Sequence, residues 1–192
     1  MTQRTLGTLA AIAAILVSGA VVISGLHQAA NNSTLPLTDS SIIREQAAAK
    51  RLDPALIAAV IYAESKFEPR PSSAGAQGLM QILPATAYYL AHLSGGKRFT
   101  ASDLATPRIN VAYGSYYLRY LLDHYRGNEM LAVAAYNGGL ANVDRWVAQA
   151  IGSGHQFTGE DIPFPETREY VQRVLSAQQA YRTTYPRELG LL

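Results

Sequence analysis

Cysteine is absent from the 192 residues, which removes zinc fingers, iron–sulfur clusters, thiol nucleophiles, disulfide frameworks and a lipidated cysteine together. Charge is sparse as well: Asp, Glu, Lys and Arg make up 16% of the chain, and 16 basic against 14 acidic side chains leave a formal net charge of +2. So small and so evenly spread an excess gives no electrostatic footprint for nucleic acid, and no nucleic-acid partner is expected. The histidines, at positions 27, 92, 124 and 155, are scattered and do not pair with another ligand at helical spacing, so no metal site is expected. No glycine-rich loop follows a strand, which leaves Gly75 to Gly78 without the context of a nucleotide site, and no cofactor is expected. Strand-type alternation is weak throughout. What remains, 48% hydrophobic with Gly 15 and Pro 9, is the composition of a globular protein with one ordinary domain.

The N-terminus is the least polar part of the chain. From Leu6 to Leu26 no residue is charged, and only Arg4 precedes the run. As a helix this segment is about 31 Å long, the thickness of a bilayer's hydrocarbon. It is longer than the apolar region of an ordinary cleavable signal, which favours an uncleaved membrane anchor over a cleaved one. With Arg4 on its N-terminal flank and no further Lys or Arg before Arg44, the span directs the N-terminus to the cytoplasm and the rest of the chain to the extracytoplasmic, periplasmic or cell-wall, side. Residues 27–38 are short, mostly polar and aperiodic, as a linker would be. The expected organisation is therefore an anchor over 1–26, a linker over 27–38 and one cored domain over 39–192.

Within that domain the periodicity is helical. Asp53 and Pro54 form a cap-and-proline start for a helix whose apolar stripe is Leu56, Ile57, Val60, Ile61 and Phe67, stopped by Pro69. A second helix starts near Pro84 and ends at Gly95. A third starts at Thr106-Pro107 and runs to Gly127 with Val111, Leu118, Leu121, Leu122 and Tyr125 on one face. Asn128 caps a short helix to Asn137, Asn142 caps another ending at Gly152, and the last runs from about Glu166 to Tyr185. The fold class expected is all-α. Of the twelve tyrosines, Tyr88, Tyr89, Tyr113, Tyr116, Tyr117 and Tyr120 are expected mostly to fill the core.

Glu64 stands out. It lies four residues after Val60 and three after Ile61, on the apolar stripe, where a carboxylate is costly unless it is paired or keeps its proton. A carboxyl held protonated near neutral pH is a general acid. The alternative is a structural glutamate, either on the helix rim or tied to an arginine such as Arg119 or Arg168. Soon after it, from Ser72 through Gly75 and Gly78 to Gln81, comes a glycine-punctuated stretch that carries a hydroxyl and an amide; it reads either as a plain loop between two helices or as a turn whose backbone can approach a ligand closely.

Four blocks in order carry a resemblance: Glu64-Ser65 with Phe67 and Pro69; Ser72-x-x-Gly75-Ala76-x-Gly78-Leu79-Met80-Gln81-Ile82-x-Pro84-x-Thr86-Ala87; Ala135-Tyr136-Asn137-x-Gly139; and Ile162-Pro163-x-x-Glu166-Thr167-x-x-Tyr170-Val171. Together they resemble the catalytic domain of the soluble lytic transglycosylases, relatives of goose-type lysozyme. The resemblance implies a lysozyme-like α fold and cleavage of the β-1,4 bond between N-acetylmuramic acid and N-acetylglucosamine in peptidoglycan. It makes Glu64 the single acid/base, delivering a 1,6-anhydromuramoyl end without water. It also implies that Ser72 and Gln81 contact the reacting sugar or steady Glu64, and that Tyr136 bonds near Glu64 or the leaving oxygen. Asn137 would stabilise the groove wall, Glu166 would bind sugar groups, and Tyr170 lies one helical turn further on. The implied partner is a peptidoglycan glycan strand. Ordinary glycosidases need a second carboxylate about 5–9.5 Å from the first; Glu68, next to Pro69, is expected to face solvent instead. Two rivals stay open: a hydrolytic muramidase of the same bond, and an inactive wall-binding module that keeps the groove.

Overall fold

The computed structural model describes residues 35–95 and 99–192. The segment expected to anchor the chain, residues 6–26, and most of the linker lie outside the described residues. Among the described residues no helix is long and apolar enough to cross a membrane. The chain divides into two units, Met1–Leu35 and Pro36–Leu192, and every described helix belongs to the second.

Seven α-helices are described: α1 (Ser40–Lys50), α2 (Pro54–Ser65), α3 (Pro84–Ser94), α4 (Pro107–His124), α5 (Glu129–Gly138), α6 (Leu140–Gly152) and α7 (Pro165–Thr184). Short 3-10 turns at Ala101–Ala105 and Gly159–Asp161 join α3 to α4 and α6 to α7. No strand is present among the described residues, only one antiparallel bridge between Gln77 and Ile82. Helix α1 has no counterpart in the sequence reading. Its start, Asp39, makes no side-chain cap, and only Ile43, Gln46 and Ala47 are buried, so neither a cap nor a broad apolar stripe marked it. Helix α6 begins at Leu140 rather than at a cap on Asn142, because Asn142 turns back and donates its side-chain amide to the carbonyl of Gly138 at 2.7 Å.

Helix α2 is the centre of the unit. Every residue from Ala55 to Ile61 is buried, so it is covered on all sides rather than on one stripe. Its principal neighbour is α7, and the two are clasped at both ends. At the N-terminal end the Asp53 carboxylate accepts from the Ala55 amide at 3.0 Å, capping α2, and also from Gln178 at 2.8 Å and from the Arg182 guanidinium at 2.9 Å. At the C-terminal end Tyr170 reaches Glu64. The pairing of early α2 with late α7, and of late α2 with early α7, makes the two helices antiparallel.

The glycine-punctuated segment between α2 and α3 is held on α4 by Asn110, which is fully buried. Its carboxamide oxygen accepts from the Met80 amide at 2.7 Å, and its nitrogen donates to the carbonyls of Gln77 and Leu104 at 2.8 and 3.1 Å. Gly78 permits this approach. Its φ is +75°, and a Cβ there would stand 2.1 Å from the Asn110 amide nitrogen. Asn110→Ala leaves three backbone groups without their partner, and is expected to cost about 2–4 kcal/mol. Urea unfolding at constant slope measures this; a loss under 1 kcal/mol would show that the loop does not hang on Asn110.

Candidate active site

Helix α2 ends abruptly. Lys66 and Phe67 both take left-handed backbone conformations, φ 52° and 63°, and turn the chain away at once after Ser65. Phe67 is buried against Tyr181, ring centres 6.2 Å apart, which fixes this exit. The Ser65 hydroxyl donates to the carbonyl of Leu79 at 2.8 Å, tying the following loop to the end of the helix. Glu64 therefore sits on the last turn of a buried helix, facing an open cleft of about 540 Å³ that Glu64, Ser65, Glu68, Arg70, Ser72 and Gln81 help to line.

Among the described residues no arginine is in contact with the Glu64 carboxyl. Arg168 donates to the carbonyl of Ile162, and Arg119 engages Asp123 and the carbonyl of Arg51, so neither serves the pairing that a structural glutamate would need. Its partner is Tyr170, whose hydroxyl donates to Glu64 Oε1 at 2.7 Å. Arg173, one turn along α7, stands over the Tyr170 ring at 5.8 Å. Burial lifts the carboxyl from the ordinary 4.5 to about 7, against the opposing pull of the Tyr170 hydrogen bond and the Arg173 charge. Burial, and next the Glu64 carboxylate itself, pushes the phenols of Tyr170 and Tyr136 well above the ordinary tyrosine range. Both stay protonated, and Tyr170 remains a donor. One carboxyl oxygen is occupied by Tyr170, which leaves the other to carry the proton.

The remaining residues singled out from the sequence divide into three groups. Ser72 and Gln81 line the cleft with Glu64 but are also braces of the loop. The Ser72 hydroxyl accepts from the Ala76 amide at 2.9 Å, and the Gln81 amide donates to the carbonyls of Arg70 and Gly78, each at 2.8 Å. Tyr136 lies beneath, donating to the carbonyl of Met80 at 3.0 Å, so the phenol bonded to Glu64 is that of Tyr170. Asn137 and Glu166 are exposed, and neither lines the cleft. Asn137 accepts from the Thr167 hydroxyl at 2.7 Å, joining α5 to α7, and Glu166 stands in the first turn of α7. Glu68 is exposed and paired with Arg70 at 2.6 Å.

Two contributors were not picked out from the sequence. Asn110 was legible in principle, because a polar amide on the stripe of Val111, Leu118 and Leu121 is as anomalous as Glu64. Arg173 had no signal, since it is an exposed cation on a polar helix face. The tyrosines of α3 and α4 correct the expectation of a core: Tyr88 and Tyr89 are about half exposed, and Tyr113, Tyr116, Tyr117 and Tyr120 are only partly buried. Three of them, Tyr89, Tyr117 and Tyr120, line a second hollow of about 340 Å³ together with Thr86 and Leu140. Tyr117 connects it to Tyr136, ring centres 5.3 Å apart. Rings with one polar end favour such a margin over full burial. Among the described residues no three His, Asp or Glu side chains come together as metal ligands would.

A family model described as the transglycosylase SLT domain matches residues 41–156. The chain belongs to the SLT family. It is 32% identical over 151 residues to the soluble lytic murein transglycosylase of Escherichia coli K12, a match covering 77% of this chain and 23% of that protein. It is 31% identical over 163 residues to the membrane-bound lytic murein transglycosylase C of Cronobacter sakazakii, covering 73% of this chain and 45% of the relative. The crystal structure of lytic transglycosylase Slt from Pseudomonas aeruginosa, an inactive mutant with glutamine in place of a glutamate, superposes with a TM-score of 0.70 at 32% identity, over 78% of this chain and 24% of that one. This SLT chain thus spans about a quarter of the length of the soluble relatives. The match ends before α7, yet α7 supplies Tyr170, the hydrogen-bond partner of the glutamate in α2.

The raised Glu64 carboxyl has a consequence for stability. The folded protein keeps this proton up to about pH 7, whereas the unfolded chain releases it near 4.5. Its contribution is therefore complete below pH 4.5, declines as pH rises to 7, and is constant above. Glu64→Gln removes that decline, and at pH 8 the variant is expected to exceed the parent by up to about 3 kcal/mol. Denaturant unfolding of both proteins between pH 4 and 8 checks this; parallel curves would mean that Glu64 ionises normally.

Proposed function

We propose that the chain is a lytic transglycosylase of peptidoglycan in which Glu64 is the only acid/base. The observation that carries this reading is a buried carboxyl with no cation in contact among the described residues, held on Tyr170, facing an open cleft and pushed by burial to a pKa of about 7. The carboxyl delivers its proton to the glycosidic oxygen between N-acetylmuramic acid and N-acetylglucosamine as that bond breaks. The resulting carboxylate then takes the proton of the muramoyl C6 hydroxyl while its oxygen bonds to the anomeric carbon. Glu64 ends protonated, the product is a 1,6-anhydromuramoyl end, and no water is consumed. The supports are the names of the relatives and the inactive glutamate-to-glutamine mutant of the Pseudomonas protein. The environment of Glu68 agrees: the other carboxylate lining the cleft is exposed and held by Arg70, poorly suited to act as nucleophile or water-activating base.

The sugar chain would run past Ser72 and Gln81 and on to the tyrosine hollow, whose rings suit the C–H faces of pyranoses; Asn137 and Glu166, exposed on α5 and α7, would add contacts outside these two cavities. Residues 1–26 act as a membrane anchor and 27–38 as a linker of roughly 20 Å, which keeps the domain of residues 39–192 on the extracytoplasmic side and close to the membrane.

Mass analysis of the muropeptides released from purified peptidoglycan by the full chain tests the chemistry. Anhydro ends are expected, and Glu64→Gln should lower their release by about a thousandfold. Reducing ends would make the protein a muramidase, and retention on the wall without release would make it a binding module. The anchor has its own check in fractionated cells, where the intact chain should remain with membranes; a soluble product beginning near residue 30 overturns it.

A further inference from the structure

Successive residues of a helix point about 100° apart, and α4 uses two of its faces differently. Tyr117 and Tyr120 border the tyrosine hollow. Tyr116, Arg119 and Asp123 instead meet Ala49, Lys50 and Arg51 at the end of α1, enclosing an open cavity of about 590 Å³. None of these six residues lines the Glu64 cleft or the tyrosine hollow.

Three cations share this cavity with one carboxylate. Arg119 is partly committed: one terminal nitrogen meets Asp123 at 2.7 Å and the other donates to the Arg51 carbonyl at 3.3 Å, but its Nε is buried with no acceptor. With one carboxylate and one carbonyl on its terminal nitrogens and none on the buried Nε, the charge of Arg119 is only partly compensated. Among the described residues Lys50 bonds only to the neutral Gln46 amide, and burial holds its ammonium below the usual lysine range against the pull of Glu45. Glu45 is itself engaged by Arg108. The Arg51 guanidinium and the Tyr116 hydroxyl make no hydrogen bond or ion pair among the described residues.

We propose that this cavity is a second ligand site, which takes the carboxylates of an acidic peptide that also bears an ammonium group. This is the chemistry of the stem peptides on murein glycan, and the identification of that peptide rests on the reading of the chain as a murein enzyme. Planar guanidinium groups match carboxylate geometry, and Tyr116 adds a hydroxyl donor. Asp123, largely exposed on the rim, selects among anions: it repels a phosphate dianion and offers an acceptor to an ammonium group. The site would hold a peptide-bearing strand while the Glu64 cleft works on glycan, and would favour peptide-substituted wall over bare glycan.

Isothermal titration of the full chain carrying Glu64→Gln, which prevents turnover, tests this with three probes. These are a free tetrapeptide of alanine, glutamate, diaminopimelate and alanine; a peptide-free tetrasaccharide of alternating N-acetylglucosamine and N-acetylmuramic acid; and inorganic phosphate. The tetrapeptide is expected to bind, and Lys50→Gln with Arg51→Ala should weaken it about tenfold while the tetrasaccharide affinity stays unchanged. A flat peptide titration, a peptide affinity indifferent to the two substitutions, or tighter binding of phosphate overturns the proposal. Binding of the tetrasaccharide without the peptide fells this inference alone. Peptide binding that responds to the substitutions, without tetrasaccharide binding, keeps an acidic-peptide site and fells the murein reading.

Discussion

A carboxyl group at the end of a buried apolar helix must either find a cation or keep its proton, and the packing of α7 against α2 imposes the second course on Glu64. The side chain that reaches it is a phenol, which supplies a hydrogen bond without supplying a charge. Arg173 is near enough to temper the effect of burial but stands over the Tyr170 ring rather than on the carboxyl. An arginine in contact would have held the group ionised and removed the acid. Much of the structure serves to keep these two helices in register, through the Asp53 clasp with Gln178 and Arg182 at one end and the Tyr170–Glu64 bond at the other.

The cleft above Glu64 depends on a second constraint, that a short loop must fold back over the end of α2 without covering it. Three of the non-glycine residues with left-handed backbone, Lys66, Phe67 and Gln81, lie at this turn and loop. Such conformations cost energy for residues with a side chain and persist where the surroundings over-determine them. Here the surroundings are Ser65 on Leu79, Gln81 on Arg70 and Gly78, and Asn110 on Met80. The side chains that resemble substrate contacts in the sequence are thus also structural members, so that chemistry and loop geometry share the same atoms.

Legibility followed the strength of the local conflict. Glu64 was conspicuous because charge on an apolar stripe contradicts the period, and Asn110 breaks the same rule less loudly. Helices with proline at their start, α2 and α4, were found where expected, although only α2 has a side-chain cap, whereas α1, which has neither proline nor side-chain cap at its start and buries few residues, was not. The partner of Glu64 could not be read. Tyr170 and Tyr136 both sit at helical spacing, 106 and 72 positions further along the chain, and nothing local says which phenol arrives. The tyrosines of α3 and α4 were misassigned to the core because composition records that a ring is apolar but not that its hydroxyl remains at the margin.

The sequence by itself determined that the domain is helical, that Glu64 is anomalous, and, through four ordered blocks, the family. These are properties of spacing, and spacing is written along the chain. Only the tertiary structure decided that Glu64 meets a phenol rather than a cation and so has its pKa raised, because its ionisation depends on what α7 brings to the end of α2. It alone decided, too, that Lys50, Arg51 and Arg119 gather beside one carboxylate, for the residues that face each other across a helix pair are set by packing and not by distance in sequence.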